Sequence, residues 1–328
     1  MKRLLNTLYV TSPNRYLSLD GENVVVLEKN EEVGRVPLHN LEMIVTFGYT
    51  GASPALMGAC ASRGIGLVFL SGNGRFLARV VGEVYGNVTL RKEQYRRSER
   101  QEESLLIAKN CIAGKVYNSR WILERAVRDH ALRLDGEKIR GKSRILADAL
   151  SNIRSCDSAA TLLGLEGEAA SVYFSVFDDL ILQQKRDFVF SGRNRRPPTD
   201  EVNAMLSFSY TLLTSMCASA LETVGLDPYV GFFHRDRPGR KSLALDMVEE
   251  LRAVMADRFV LTLINKKVVT KDGFCQKENG AVVMDDQLRK TFLAAWQKKK
   301  QEVITHPFLG EKMEWGMVPF AQAMLLAR

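Results

Sequence analysis

The sequence predicts an α+β protein, with a small β-rich N-terminal domain followed by a larger, mainly α-helical one. Three observations carry this prediction. Short β-branched and aromatic runs separated by turn residues fill residues 1 to about 86. From Gln94 onward the apolar period lengthens to that of amphipathic helices, first in SLLIAKNCIAGKVYNSRWILERAVRDHALRL. At 328 residues the chain exceeds one ordinary core and has room for two. The expected division is a β-rich domain over residues 1–86, a linker over 87–98 and a helical domain over 99–328.

In chain order, LNTLYV, YLSL, NVVVLE and EMIVTF read as strands. One helix is expected to interrupt them, from Pro54 to Ser62, with Ser53 as N-cap, Pro54 at the first helical position and a stop near Gly64. IGLVFLS then reads as a buried strand, SGNGR as a hairpin turn and FLARVVGEVYG as the returning strand. The polar, charged stretch YGNVTLRKEQYRRSERQEE suits a linker running into an exposed first helix. The lysine run QKKKQ, residues 297–301, reads as solvated helix surface.

A net charge of +8 and a pI near 9.2 favour an anionic partner, nucleic acid above all. Cys60, Cys111, Cys156, Cys217 and Cys275 are scattered singly without a CxxC, and their odd number argues against a disulfide framework. Reduced thiols predict a cytoplasmic protein. The N-terminus carries no apolar run of signal-peptide length, and no other stretch is expected to reach membrane-spanning length, so no membrane partner is predicted. The motifs GxSxG and GxxxxGK are absent, which argues against a serine hydrolase and a P-loop nucleotide enzyme.

The candidate chemistry lies in two stretches. In LLGLEGEAASVYFSVF, Glu166 shares a helix face with Ala169, Ala170, Tyr173 and Phe177, whereas Glu168 lines up with Ser171, Val172 and Ser175. A carboxylate on an apolar face must be paired, protonated or bound to a cation. An internal salt bridge and a first-turn glutamate favoured by the helix dipole are the plainer alternatives. In GFFHRDRPGRKSLALDMVEELR, Asp246 and Glu249 are i, i+3 neighbours placed opposite Leu243, Met247, Leu251 and Val254, so their side faces a cleft or solvent. His234, one of four histidines with His39, His130 and His306, precedes that helix. Glutamate, histidine and acid together suit a hard metal, Mg²⁺ or Mn²⁺, the imidazole tilting the set toward Mn²⁺. Arg235, Arg237, Arg240 and Lys241 surround His234, and Arg193, Arg195 and Arg196 lie downstream of Glu166; guanidinium groups match phosphate oxygens.

The ordered segments GLEGEAASVYF, RNRRPPTDEVNAMLSFSYTLL and LDPYVGFFHRDRPGRKSLALDMVEELR, behind a strand-rich region, resemble the CRISPR-associated protein one family, the large subunit of the integrase that adds spacers to CRISPR arrays. The resemblance covers essentially the whole chain. It implies a divalent-metal-dependent DNA endonuclease and strand-transfer enzyme that joins a captured fragment with 3′ overhangs to CRISPR repeat DNA by 3′-hydroxyl transesterification. It also implies a homodimer formed through the β-rich domain, and a partner dimer of CRISPR-associated protein two bridging two such homodimers. Carried over by position, Glu166, His234 and Glu249 would hold the metal, with Asp246 as the nearby catalytic acid. Many members have aspartate where this chain has Glu249, which leaves the split between Asp246 and Glu249 open. Asn203 and Tyr210, in NAMLSFSY, would shape the floor of the site. A non-catalytic DNA scaffold and a hydrolase of small phosphoesters are the rival readings.

Overall fold

The structure, a computed structural model, describes residues 6–72, 74–83 and 87–328. Packing divides the chain into two compact units, one drawn from Met1–Tyr85 with Met284–Val318, the other from Gly86–Val283 with Pro319–Arg328. The fold class is the expected one, strands first and helices after.

In the first unit, β1 (Asn6–Val10), β2 (Arg15–Asp20), β3 (Asn23–Glu28), β4 (Glu31–Pro37) and β5 (Leu41–Phe47) precede helix α1 (Pro54–Ser62), followed by β6 (Gly66–Leu70) and β7 (Phe76–Val80). One sheet has the order β1-β5-β6-β7, with β5 parallel to β1 and β6; the other is the antiparallel meander β2-β3-β4. Strand β5, LEMIVTF, is buried along nearly its whole length, as an inner strand with two parallel neighbours should be. The β3–β4 hairpin turns through Lys29 and Asn30, both at positive φ, the backbone that a right-twisted two-residue loop demands. Helix α1 begins and ends as expected: the Ser53 side chain accepts from Leu56 N and Pro54 opens the first turn. Leu56 and Cys60 from α1 join Leu17, Val24, Ile44 and Leu67 in the core. The returning strand forms over Phe76–Val80; Asn73 of the expected turn, and Val84, Tyr85 and Gly86 beyond, lie outside the described residues, as do Leu4 and Leu5.

The second unit opens with α2 (Val88–Glu99), so the stretch expected as a linker over 87–98 is largely helical. Then come α3 (Gln101–Asp129), α4 (Gly136–Ser155), α5 (Ala159–Phe174), α6 (Glu201–Val224) and α7 (Ser242–Leu251). A π-helical stretch, Arg252–Asp257, leads from α7 into α8 (Arg258–Asn265), and the hairpin β8 (Phe274–Gln276) and β9 (Val282–Met284) follows. The 29-residue α3 packs on α4, α5 and α7. It approaches α7 closely because position 114 is glycine: a Cβ there would meet Glu250 Cγ at 2.9 Å. Helix α6 corrects one expectation. It is long and apolar enough to cross a membrane by length and composition, yet 72% of its apolar window is buried inside the protein, as befits a core helix.

Helix α9 (Asp286–Gln301) and the hairpin β10 (Val303–Thr305) and β11 (Lys312–Glu314) pack with the first unit, and α10 (Val318–Leu326) closes the described chain. The lysine run on α9 is solvated surface only in part: Lys298 and Gln301 are exposed, whereas Lys299 and Lys300 are buried. Lys300 is 1% exposed, its ammonium donating to Thr7 Oγ1 at 2.9 Å and pairing with Glu42, while Lys299 pairs with Glu302 at 2.6 Å and lies over the Trp315 ring. Buried ammonium groups persist because each has an acceptor or carboxylate beside it.

Candidate active site

The loop after α6 wraps around one carboxylate. Gly225 ends α6 in the left-handed region, and Asp246 on α7, fully buried, then accepts backbone N–H groups from Phe232 at 2.6 Å, Phe233 at 3.0 Å and His234 at 2.9 Å. Asp246 Oδ1 also lies 2.7 Å from His234 Nδ1. A carboxylate oxygen accepts, so Nδ1 is the donating ring nitrogen in this contact. Position 231 must be glycine for this wrap, since a Cβ there would stand 2.9 Å from Asp246 Oδ2 and 2.8 Å from Ser242 Cβ. Asp246 therefore faces neither cleft nor solvent; its oxygens are consumed in holding the loop.

Glu249, one turn further along α7, is also buried, its side chain 4% exposed. Burial by itself raises its pKa, but Arg252 at 2.8 Å and the Lys115 ammonium outweigh that and hold it at about 2. Lys115 Nζ lies 2.7 Å from Glu249 Oε2 and donates to Glu166 Oε1, so the two glutamates converge on one cation position. His234 Nε2 stands 3.9 Å from the other Glu249 oxygen, Oε1. Among the described residues no three His, Cys, Asp or Glu side chains are drawn together tightly enough to hold an ion as they stand. Lys115 occupies the middle. Helix α5 starts at Ala159 behind the Ser158 cap, so Glu166 sits mid-helix and the first-turn alternative falls, whereas an internal salt bridge is present.

Behind these groups, Tyr210 on α6 is sandwiched between guanidinium groups, Arg193 at 5.1 Å and Arg252 at 4.7 Å from its ring centre, and donates its hydroxyl to Asp257 at 2.5 Å. Asn203 is fully buried and fastens the preceding loop: its Nδ2 donates to Gly192 O and Asp200 Oδ2, and its Oδ1 accepts from Arg193 and from Asn194 N. Arg193, expected among phosphate-binding cations, is thus engaged within the protein. Arg195, Arg196, Arg235 and Arg237 are exposed, and Arg240 and Lys241 are half-buried.

The family model for CRISPR associated protein Cas1 matches residues 8–298. A CRISPR-associated endonuclease Cas1 of Rhodospirillum rubrum is 52% identical over 332 residues, covering 100% of this chain and 96% of that protein. The chain belongs to the Cas1 family. Two solved structures share the Cas1 fold: a CAS1 protein from Thermotoga maritima, TM-score 0.83 at 20% identity over 98% of this chain and 96% of that one, and a casposase bound to integration product, TM-score 0.84 at 24% identity over 98% and 90%.

Lys115, Arg252 and Asp257 are residues of the candidate site that the sequence reading did not single out, although Arg252 ends one of the quoted segments. Lys115 had a signal: it falls on the buried seam Ala108, Ile112, Ser119 and Ile122 of α3, where a lysine needs a counter-charge. Arg252 and Asp257 lie in the π-helical stretch, where an α-helical wheel no longer applies.

Asp257 carries a testable consequence. Burial, only partly offset by the Tyr210 hydroxyl and Arg252, raises its pKa from 3.8 to about 6. A carboxyl that binds its proton more tightly when folded makes stability fall as pH rises from its unfolded pKa through its folded one. At neutral pH the burden is about 1–3 kcal/mol. Asp257→Asn, which still accepts from Tyr210, is expected to be more stable than wild type in urea at pH 7 and to lose that advantage near pH 4. Equal stability at both values would contradict the raised pKa.

Proposed function

We propose that this protein is a divalent-metal-dependent DNA endonuclease and integrase that acts in the cytoplasm and inserts captured fragments at CRISPR repeats. The observation that carries the reading is the convergence of the Glu166 and Glu249 carboxylates on one cation position beside Nε2 of His234. The donor set fits a hard divalent ion: two carboxylates and an imidazole whose other nitrogen is fixed by a carboxylate. Glu166, His234 and Glu249 would hold Mg²⁺ or Mn²⁺, and Asp246 is the positioning residue that settles the imidazole tautomer.

The chain's own residues then have distinct tasks. Arg252 keeps Glu249 ionised, and the Tyr210 ring keeps Arg252 in place. Arg195, Arg196, Arg235 and Arg237, with Arg240 and Lys241, hold the DNA backbone without reading bases. The 3′-hydroxyl of the fragment attacks a phosphorus at the repeat boundary; the new ester bond to the repeat's 5′ phosphate forms as the bond to the flanking nucleotide's 3′ oxygen breaks, and that oxygen leaves as a hydroxyl. Water in place of the attacking hydroxyl gives cleavage at the same site. A bound divalent ion supplies Lewis-acid stabilisation of the charge that develops on the phosphate. A homodimer through the β-rich unit, and a CRISPR-associated protein two dimer joining two homodimers, complete the assembly that family membership suggests. The integration product named for the casposase of the same fold supports this class of reaction.

The deciding experiment offers a labelled fragment with 3′ overhangs and a repeat-bearing plasmid to the protein and its small partner, with Mn²⁺ or EDTA. Integration that requires Mn²⁺ and disappears in Glu166→Ala is expected; integration by Glu166→Ala would overturn the reading. The exposed cations make a separate prediction. The slope of log K against log salt should be near −0.9 per neutralised phosphate, and Arg195→Ala with Arg196→Ala should flatten it by roughly one to two units. An unchanged slope would take both arginines off the DNA path.

A further inference from the structure

Helix α2, the stretch expected as a linker, is fastened to the loop that delivers His234. Arg91, Gln94 and Tyr95 fall on one face of α2, at i, i+3 and i+4. Gln94 is 3% exposed and uses both ends of its amide on that loop: Oε1 accepts from Asp227 N at 2.9 Å, while Nε2 donates to Asp227 O and Val230 O, both at 2.8 Å. Arg91 Nε donates to Gly225 O at 3.0 Å, and the Tyr95 hydroxyl to Asp227 Oδ2 at 2.9 Å. Ser104, at the start of α3, donates to Phe232 O at 3.1 Å. Pro228 O accepts from Leu243 N and Ala244 N, which ties the same loop to the first turn of α7. The loop is thus held from two sides: Asp246 grips residues 232–234, and α2 grips residues 225–230.

We infer that Gln94 is a positioning residue for His234: by pairing with both backbone groups of Asp227 and with the Val230 carbonyl it fixes the path of the loop from the end of α6 to the imidazole, and with it the approach of Nε2 to Glu249. Loop backbone has no ladder to satisfy its N–H and C=O groups, and an amide side chain is the uncharged group that can meet one N–H and two carbonyls together. A carboxylate at position 94 would accept from Asp227 N but oppose both carbonyls. A functional side chain must be held to within about 0.5 Å of its working place, and Gln94 extends the hold on the loop beyond the three residues that Asp246 grips. The effect on catalysis rests on the reading of His234 as a metal ligand; the placement of the imidazole does not.

Gln94→Met keeps the bulk of the side chain and removes the amide. Imidazole NMR of the full chain in EDTA reads its effect directly: the ¹⁵N and ¹H resonances of His234 should shift or broaden, and those of His39, His130 and His306 should stay. Strand transfer by the folded variant, with its small partner and Mn²⁺, should lose about 10–100-fold in kcat with KM for DNA unchanged, as losses behind a metal ligand do. Calorimetric Mn²⁺ affinity should weaken in parallel, and Gln94→Met should weaken it no further in a His234→Ala background. Tyr95→Phe removes a single hydroxyl at a site 38% exposed; it should move the same His234 resonances and lower kcat about threefold, and it carries the test if Gln94→Met does not fold. Wild-type His234 resonances and kcat in folded Gln94→Met, or in Tyr95→Phe where the former is unfolded, would overturn the inference and leave Gln94 a structural fastener. A raised KM with unchanged kcat would overturn it too, making α2 a DNA contact. Mn²⁺ binding indifferent to His234→Ala would remove the metal reading, and the His234 resonances alone would then decide the role of Gln94.

Discussion

His234→Ala and Glu249→Ala are expected to lose Mn²⁺-dependent cleavage and strand transfer alike, by a factor of roughly 10³ or more, equivalent to ~4 kcal/mol of barrier. They should differ sharply in stability. His234 is on the loop and partly exposed, with its Nδ1 hydrogen-bonded to Asp246, so its removal should cost about 1 kcal/mol. Glu249 is the buried counter-charge of both Lys115 and Arg252, and deleting it leaves two cations short of a partner, at about 3–5 kcal/mol. Glu249→Gln, nearly isosteric, should recover packing but neither the charge nor the activity. DNA affinity in EDTA should survive in both variants wherever the protein is folded. Turnover by His234→Ala near the wild-type rate would remove the imidazole from the ligand set, and a Glu249→Ala protein as stable as wild type would mean that the ion pairs contribute little.

Asp246→Asn should be the most damaging isosteric change in the protein. Two oxygens of Asp246 share four donors, the N–H groups of residues 232 to 234 and the imidazole Nδ1–H. An asparagine presents one oxygen and one NH₂, so whichever way it is turned one pair of donors meets another donor. Each orphaned N–H costs about 1–3 kcal/mol. If the amide faces the imidazole, Nδ1 becomes the acceptor and Nε2 takes the proton, the wrong tautomer for a metal ligand. Mn²⁺ affinity and strand transfer should fall by about 10–100-fold, as losses in the hydrogen-bonded surround of a metal ligand do. The imidazole ¹⁵N shifts would report the tautomer directly, and an unchanged spectrum with unchanged Mn²⁺ affinity would disprove the positioning role.

The contrast between Asp246 and Glu249 also shows what a sequence can carry. Their i, i+3 spacing placed them on one helix face, and that much is right. Whether the face is wet depends on the loop ahead, whose path is dictated by Gly231 and by three backbone donors, neither of which a helical wheel contains. Strand runs and helix α1 were legible because Ser53 and Pro54 act locally, through a cap bond and a fixed φ. Glu166 was legible from its apolar neighbours. The buried lysines were harder: Lys299 and Lys300 read as surface because their partners, Glu302 and Trp315 nearby but Thr7 and Glu42 far off in sequence, include residues that no local pattern connects. Lys115 belongs to the same class, since its partners come from two other helices.

The π-helical stretch Arg252–Asp257 separates two kinds of change that are usually discussed together. Its wide turn means one residue more than an α-helix would use between Glu249 and the start of α8. Most substitutions leave that count alone. Removing a single residue there would let the backbone close into regular helix with α8 kept near its present orientation, because the wide turn absorbs that residue, whereas the same deletion inside α7 would rotate everything downstream by roughly 100° about the axis. A deletion in α7 would carry Asp257 off the Tyr210 hydroxyl and turn the apolar face of α8, with Phe259, Leu263 and Ile264, out of its core. The segment can therefore lose a residue more easily than its neighbours can, but its end residues Arg252 and Asp257 are tied to Glu249 and Tyr210.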